Sequence, residues 1–164
     1  MELKARFLEE LQELASAEEL LIACLPELIT AAANPQLSSV FERHLRQTEL
    51  QSGRIKRVFA SLGLRQTLRP CRPMGALIGE ASNASVQGWR GSVRDFVLVD
   101  VARRIEQLEI AAYTSVVALA EALEYFEAVN LLTQNLVEEQ TTIQQLTAIH
   151  DEMVARAQET RTKA

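Results

Sequence analysis

The sequence has little of what many function classes need. Only 5% of its 164 residues are aromatic, and it holds two cysteines, four prolines and six glycines. Two cysteines cannot build a disulfide framework, and neither Cys24 nor Cys71 stands in a CxxC pair suited to zinc or dithiol chemistry. Cys24, inside a helical pattern, reads as a small apolar filler, and Cys71, in a Pro/Arg-rich stretch, as a loop residue. Lys and Arg number 17 against 22 Asp and Glu, so the net charge of −5 offers no basic footprint for DNA, RNA or an anionic membrane surface. The opening stretch MELKARFLEELQEL breaks every apolar run with charge, which excludes a signal peptide or transmembrane span there and points to the cytoplasm.

What is present favours helices. Hydrophobic residues make up 48% of the chain, and Leu and Ala outnumber Val and Ile. The length suits a single domain, spanning residues 1–160. Apolar residues recur at helical spacing from Leu3 to Ala33, with Pro26 expected to bend or loosen the last turns. Asn34-Pro35 then supplies an N-cap and a first-turn proline for a second helix ending near Leu62 and Gly63. Residues 64–92 are the longest irregular stretch, with a short helix expected near MGALIGEASNAS, and Trp89 in this segment reads as a packing or interface anchor. Ser92 and Asp95 resemble a capping box that opens a third long helix to about Leu123. A break near Glu124–Phe126 leads to the fourth, which fades into the polar tail AQETRTKA. Short, long and short connections predict an all-α, ferritin-like up-down-down-up four-helix bundle with one long crossover.

The core stripes carry the functional signal. Steps of four and three along the first helix give Phe7, Leu11, Leu14, Glu18, Leu21, Leu25 and Leu28. The second gives Phe41, His44, Thr48, Gln51 and Ile55, the third Ala102, Glu106, Glu109, Tyr113 and Val116, and the fourth Leu132, Asn135, Glu139, Thr142 and Leu146. Each stripe turns polar at its middle. Reflected through the two short turns, Glu18 faces about residue 50, and Glu106 and Glu109 bracket Glu139 and Thr142, so the interruptions share one height. Four carboxylates without Lys or Arg on those stripes are very costly unless something neutralises them. Two divalent ions, iron or manganese, balance that charge, and Glu18, Glu106, Glu109 and Glu139 are the main candidate ligands. His44 is a candidate ligand or a hydrogen-bond partner behind the ligands, and Gln51 is the weakest donor of the set. Thr48, Tyr113 and Thr142 are candidates to support the ligands, while His150 reads as a surface or structural group. The competing readings are a solvated seam, a metal-free polar layer that sets register in a helical interaction module, and a layer of carboxyls sharing protons.

The segments FLEELQELASAEELL, FERHLRQTELQSGRIKRVFASLG, VARRIEQLEIAAYTSVVALAEAL and LVEEQTTIQQL resemble the YciE/YciF-type family of ferritin-like bacterial proteins over nearly the whole chain. HLRQT and EIAAYT are the more specific pieces. The resemblance implies a ferritin-like bundle, a dinuclear metal site, a homodimer and a link to bacterial stress responses; open coordination positions on two bound ions would give scope for oxygen, peroxide or iron redox chemistry. Di-iron bundles in general draw Glu from two helices and ExxH from the other two. Here the corresponding positions read Glu106-x-x-Glu109 and Glu139-x-x-Thr142, with Thr48 and Gln51 on the second helix, which reduces the number of strong protein ligands.

Overall fold

The structure, a computed structural model, describes residues 2–162. They form helices α1 (Glu2–Ala31), α2 (Pro35–Ser61), α3 (Arg72–Val86), α4 (Ser92–Ala122) and α5 (Phe126–Thr162), with no strand among the described residues. The end of the polar tail, Lys163 and Ala164, lies outside the described residues, as does Met1. α1 and α2 form one antiparallel hairpin and α4 and α5 another. The hairpins dock through α1 on α4 and α2 on α5, while α3 lies in the crossover against α1 and α4. The order is up-down-down-up, as the connection lengths predict.

Local chemistry explains most of the boundaries. Asn34 caps α2 by accepting the Gln36 N–H at 2.9 Å, and Pro35 occupies the first turn, where no backbone donor is needed. Gly63, at φ +70°, turns the chain out of α2 in a conformation open to glycine. Glu124 takes the same left-handed region at φ 57° between α4 and α5, which ordinarily costs a non-glycine residue about 1 kcal/mol. α1 continues unbroken through Pro26, the surrounding apolar face outweighing the lost backbone bond. The expected short crossover helix is present but longer, because Met74, Ala81 and Ala84 give it one apolar face to bury. Residues 64–71 remain irregular and strap across α1, where the Arg69 N–H donates to the Gln12 carbonyl at 3.2 Å.

One expectation is corrected. Ser92 and Asp95 do not form a capping box: Gly91 holds the N-cap position of α4, with no side-chain cap bond. Asp95 instead reaches across to the α1–α2 turn, where its two oxygens accept the N–H groups of Ala33 and Asn34, each at 2.8 Å. The two backbone N–H groups at the start of α2 attract the carboxylate more strongly than the single N–H of Ser92, three residues back, competes for it. The contact pins the start of α4 to the turn of the first hairpin and so helps set their relative height. Trp89 stays 43% exposed and belongs to neither apolar core cluster.

The core falls into two apolar clusters. Leu21, Leu25, Leu28, Phe41, Leu98 and Ile105 belong to the one near the α1–α2 turn, and Phe7, Leu11, Ile55, Phe59, Val116 and Leu132 to the other. Between them lies a buried polar layer. Asp95→Ala is expected to destabilise the chain by about 2–4 kcal/mol, since it strands two donors of charge-assisted bonds, and Asp95→Asn by less, because one acceptor survives. Urea unfolding of the two variants checks this, and equal losses contradict the two-bond account.

Candidate metal centre

Four long helices each deliver polar groups to this layer, because its positions repeat with the apolar face on either side. Glu18 of α1, His44, Thr48 and Gln51 of α2, Glu106, Glu109 and Tyr113 of α4, and Asn135, Glu139 and Thr142 of α5 are all buried, none more than 3% exposed. The shared height expected from reflection through the turns is the observed one.

Within the layer the residues have different places. His44, Glu106, Glu109 and Glu139 each offer a ligand atom, and these atoms all lie within 4.8 Å of one another. The His44 Nε2 sits 3.2 Å from a Glu106 oxygen. Glu18 stands beside this group, and its carboxylate accepts a short hydrogen bond from the Tyr113 hydroxyl. Gln51 is fully buried; its amide N–H donates to Glu138 at 3.1 Å, and its side chain also acts on Glu139. Thr48 and Thr142 do not support the carboxylates as expected. Their hydroxyls donate to carbonyls one turn back on their own helices, those of His44 at 2.8 Å and Glu138 at 3.1 Å, the usual outlet for a threonine inside a helix. His150 lies apart, stacked at a tilt on Phe96 and 3.1 Å from Asp151.

A polar relay missed by the stripe pattern borders the site. Arg54 makes two bonds to Glu138, at 2.7 and 2.8 Å, and donates to Asn135 at 2.9 Å. Asn135 donates in turn to the Tyr113 oxygen at 3.0 Å, and Tyr113 to Glu18. Every donor points inward, so a half-buried guanidinium fixes the orientation of a fully buried tyrosine. The available signals were Arg54 one turn beyond Gln51 and Glu138 beside Glu139, both just off the stripes.

Electrostatics make the layer unusual. Burial first, and then the charge of Glu139, push Glu18, Glu106 and Glu109 well above the usual carboxylate range, and the Tyr113 bond draws Glu18 back only in part. Burial also raises Glu139, opposed in part by the nearby Glu106 and Gln51 side chains. Burial pulls His44 down to about 4, so near neutral pH its ring is uncharged and its contact with Glu106 is no ion pair. Both oxygens of Glu109 and Glu139, both ring nitrogens of His44 and one oxygen each of Glu18 and Glu106 lack a hydrogen-bond donor or acceptor. Buried polar atoms are seldom left this way, and a neutral imidazole among carboxylates is a donor set for a hard or borderline cation.

Fold and site define the class: an all-α, ferritin-like bundle whose two apolar cores are parted by a buried carboxylate and histidine layer. The chain matches the model of the family described as a domain of unknown function, DUF892, over residues 2–159, and it belongs to that family. It is 37% identical over 142 residues to protein YciF of Escherichia coli strain K12, covering 86% of each chain. The crystal structure of the E. coli stress protein YciF superposes with a TM-score of 0.89 at 34% identity, over 93% of this chain and 97% of that one. YcfI of Rhodopseudomonas palustris, described as a structural protein, gives 0.85 at 32% identity over 88% and 92%. A protein of Xanthomonas campestris pv. campestris gives 0.75 at 17% identity over 99% of both chains, which shows shared fold alone. No helix among the described residues is long and apolar enough to cross a membrane.

The raised carboxyls set the pH response of metal-free protein. A carboxyl whose folded pKa exceeds its unfolded one binds more protons when folded, so its contribution is full below the unfolded value and is lost as pH rises through the folded one. Stability of chelator-treated protein is therefore expected to rise as pH falls from about 8 toward 6.5, the latter being the ordinary histidine value. Below that His44 opposes the gain, because it protonates only when unfolded until pH nears about 4. Thermal melts across this range check the sign, and a steady loss of stability from 8 to 6.5 contradicts it.

Proposed function

We propose that this protein is a stress-associated, ferritin-like metal protein whose layer holds two divalent ions, iron or manganese, between Glu18, His44, Glu106, Glu109 and Glu139. The carrying observation is the set of buried donor atoms without partners on four helices at one height. Two divalent ions offset most of the net charge of −5 and remove the mutual repulsion that raises the glutamates. When bound, such ions supply one-electron redox chemistry toward oxygen or peroxide. The chain's own part is to hold the carboxylates at one height, keep His44 neutral and fix Glu18 through Tyr113. Gln51 and Glu138 close the α2–α5 side.

A second reading has support in the pairing already present. Tyr113 on Glu18 gives a metal-free layer some internal satisfaction, and one relative is described as a structural protein. In that reading the layer sets helix register without metal. The homodimer implied by the family resemblance belongs to either reading, with exposed Val86, Trp89 and Val93 offering apolar surface for it. A monomer in sedimentation across the micromolar range removes the dimer.

Metal analysis of protein purified without chelators tests the main reading. Two transition-metal ions per chain are expected, with loss of at least one in Glu109→Ala, and no metal in the wild type overturns it. Fe(II) or Mn(II) at 100 times Kd is expected to add about 2.7 kcal/mol of stability. Tyr113→Phe is expected to weaken metal affinity by roughly 10–100-fold while keeping the stoichiometry, as removal of a ligand-orienting bond does.

A further inference from the structure

A cavity of about 280 Å³ opens between α1, α3 and α4, and its inner wall includes Glu109. The acidic side chains along it grade inward: Glu13 is 40% exposed, Glu10 13% and Glu109 1%. Ala112 and the half-buried Cys71 keep the passage open in width, and Met74 at the start of α3 forms part of its wall. Both Glu109 oxygens lack a partner, so the cavity ends on a carboxylate with unused coordinating capacity.

Three other approaches to the layer are closed. Toward the α1–α2 turn, Leu21, Leu25, Phe41 and Leu146 surround a void of about 10 Å³ beside His44 and Glu106, room for one water at most. Toward the opposite end stand Phe7, Leu11, Ile55 and Phe59. On the α2–α5 side Arg54 and Glu138 lock together. A cation stripped of water does not cross apolar packing of that kind.

We propose that divalent cations enter the buried layer through the α1–α3–α4 cavity, landing on Glu13 and Glu10 and passing Cys71 to Glu109. This route rests on the metal reading above. In the absence of metal the landing carboxylates pair with arginines, Glu10 with Arg6 at 2.7 Å and Glu13 with Arg69 at 3.2 Å. Half-exposed pairs of this sort are worth at most about 1 kcal/mol, so an arriving ion displaces them readily. The strap that carries Arg69 thereby places a removable cation at the mouth.

Stopped-flow uptake of Co(II) by chelator-treated, desalted protein tests the route. Ala112→Phe, which fills the cavity, is expected to slow association and dissociation alike by about tenfold or more, leaving Kd and stoichiometry unchanged, as a steric barrier on a shared path does. Ser115→Trp on the exposed rim serves the same end if Ala112→Phe disturbs folding. The double variant Glu10→Gln/Glu13→Gln is expected to lower the association rate by about tenfold and flatten its dependence on salt, with stoichiometry intact. Co(II) that binds at equilibrium but enters Ala112→Phe and Ser115→Trp at the wild-type rate overturns the route while sparing the metal centre, and faster uptake by Arg54→Ala then assigns entry to the α2–α5 side. No Co(II) binding by the wild type overturns both.

Discussion

Repulsion among buried carboxylates is the constraint around which this bundle is arranged. Glu18, Glu106, Glu109 and Glu139 sit where the dielectric is low, and the charge of Glu139 acts on each of the other three. An isolated ionised carboxyl in such a place carries a desolvation penalty of several kcal/mol. The apolar clusters on either side must outweigh that cost, and they do so with tightly buried side chains such as Phe7, Leu11, Leu25 and Phe41. A layer this expensive persists where it is neutralised by protons or cations, and its unpartnered oxygens and imidazole nitrogens form a cluster that could hold a metal ion.

Neutralisation requires geometry, and the geometry comes from contacts at the ends and edges of the bundle. Asp95 ties α4 to the α1–α2 turn through two backbone donors. The Arg54, Asn135 and Tyr113 relay holds Glu18 in one orientation from the opposite side. The crossover adds the third support: its irregular strap bonds to α1, while α3 covers α1 and α4 without sealing the approach to Glu109. Rigidity around the layer and one open flank are thus produced by different parts of the chain.

Membership of the DUF892 family and likeness to the YciF stress protein agree with this architecture but do not explain the donor set. Compared with the general di-iron pattern, α2 contributes His44 in place of a glutamate and histidine pair one or two turns along, and α5 contributes Glu139 with Thr142 rather than histidine. The outcome is a compact group of one imidazole and three carboxylates, with Glu18 held beside it by a tyrosine.

Helical periodicity, the Asn34-Pro35 turn and the short-long-short connections were legible in the sequence because each depends on neighbours a few residues away. So was the polar height shared by Glu18, Glu106, Glu109 and Glu139, since helical rise converts residue number directly into position along a bundle. Rotation about the helix axes and the choice of hydrogen-bond partner were not legible. Asp95 looked like a local cap and became a link between hairpins, Thr48 and Thr142 looked like supports and bonded to their own backbones, and Arg54 lay off the stripe yet orients Tyr113. The sequence by itself determined the helices and the height of their polar layer. Tertiary structure alone decided which side chains meet there and which flank stays open, because those depend on how separate helices turn and settle against one another.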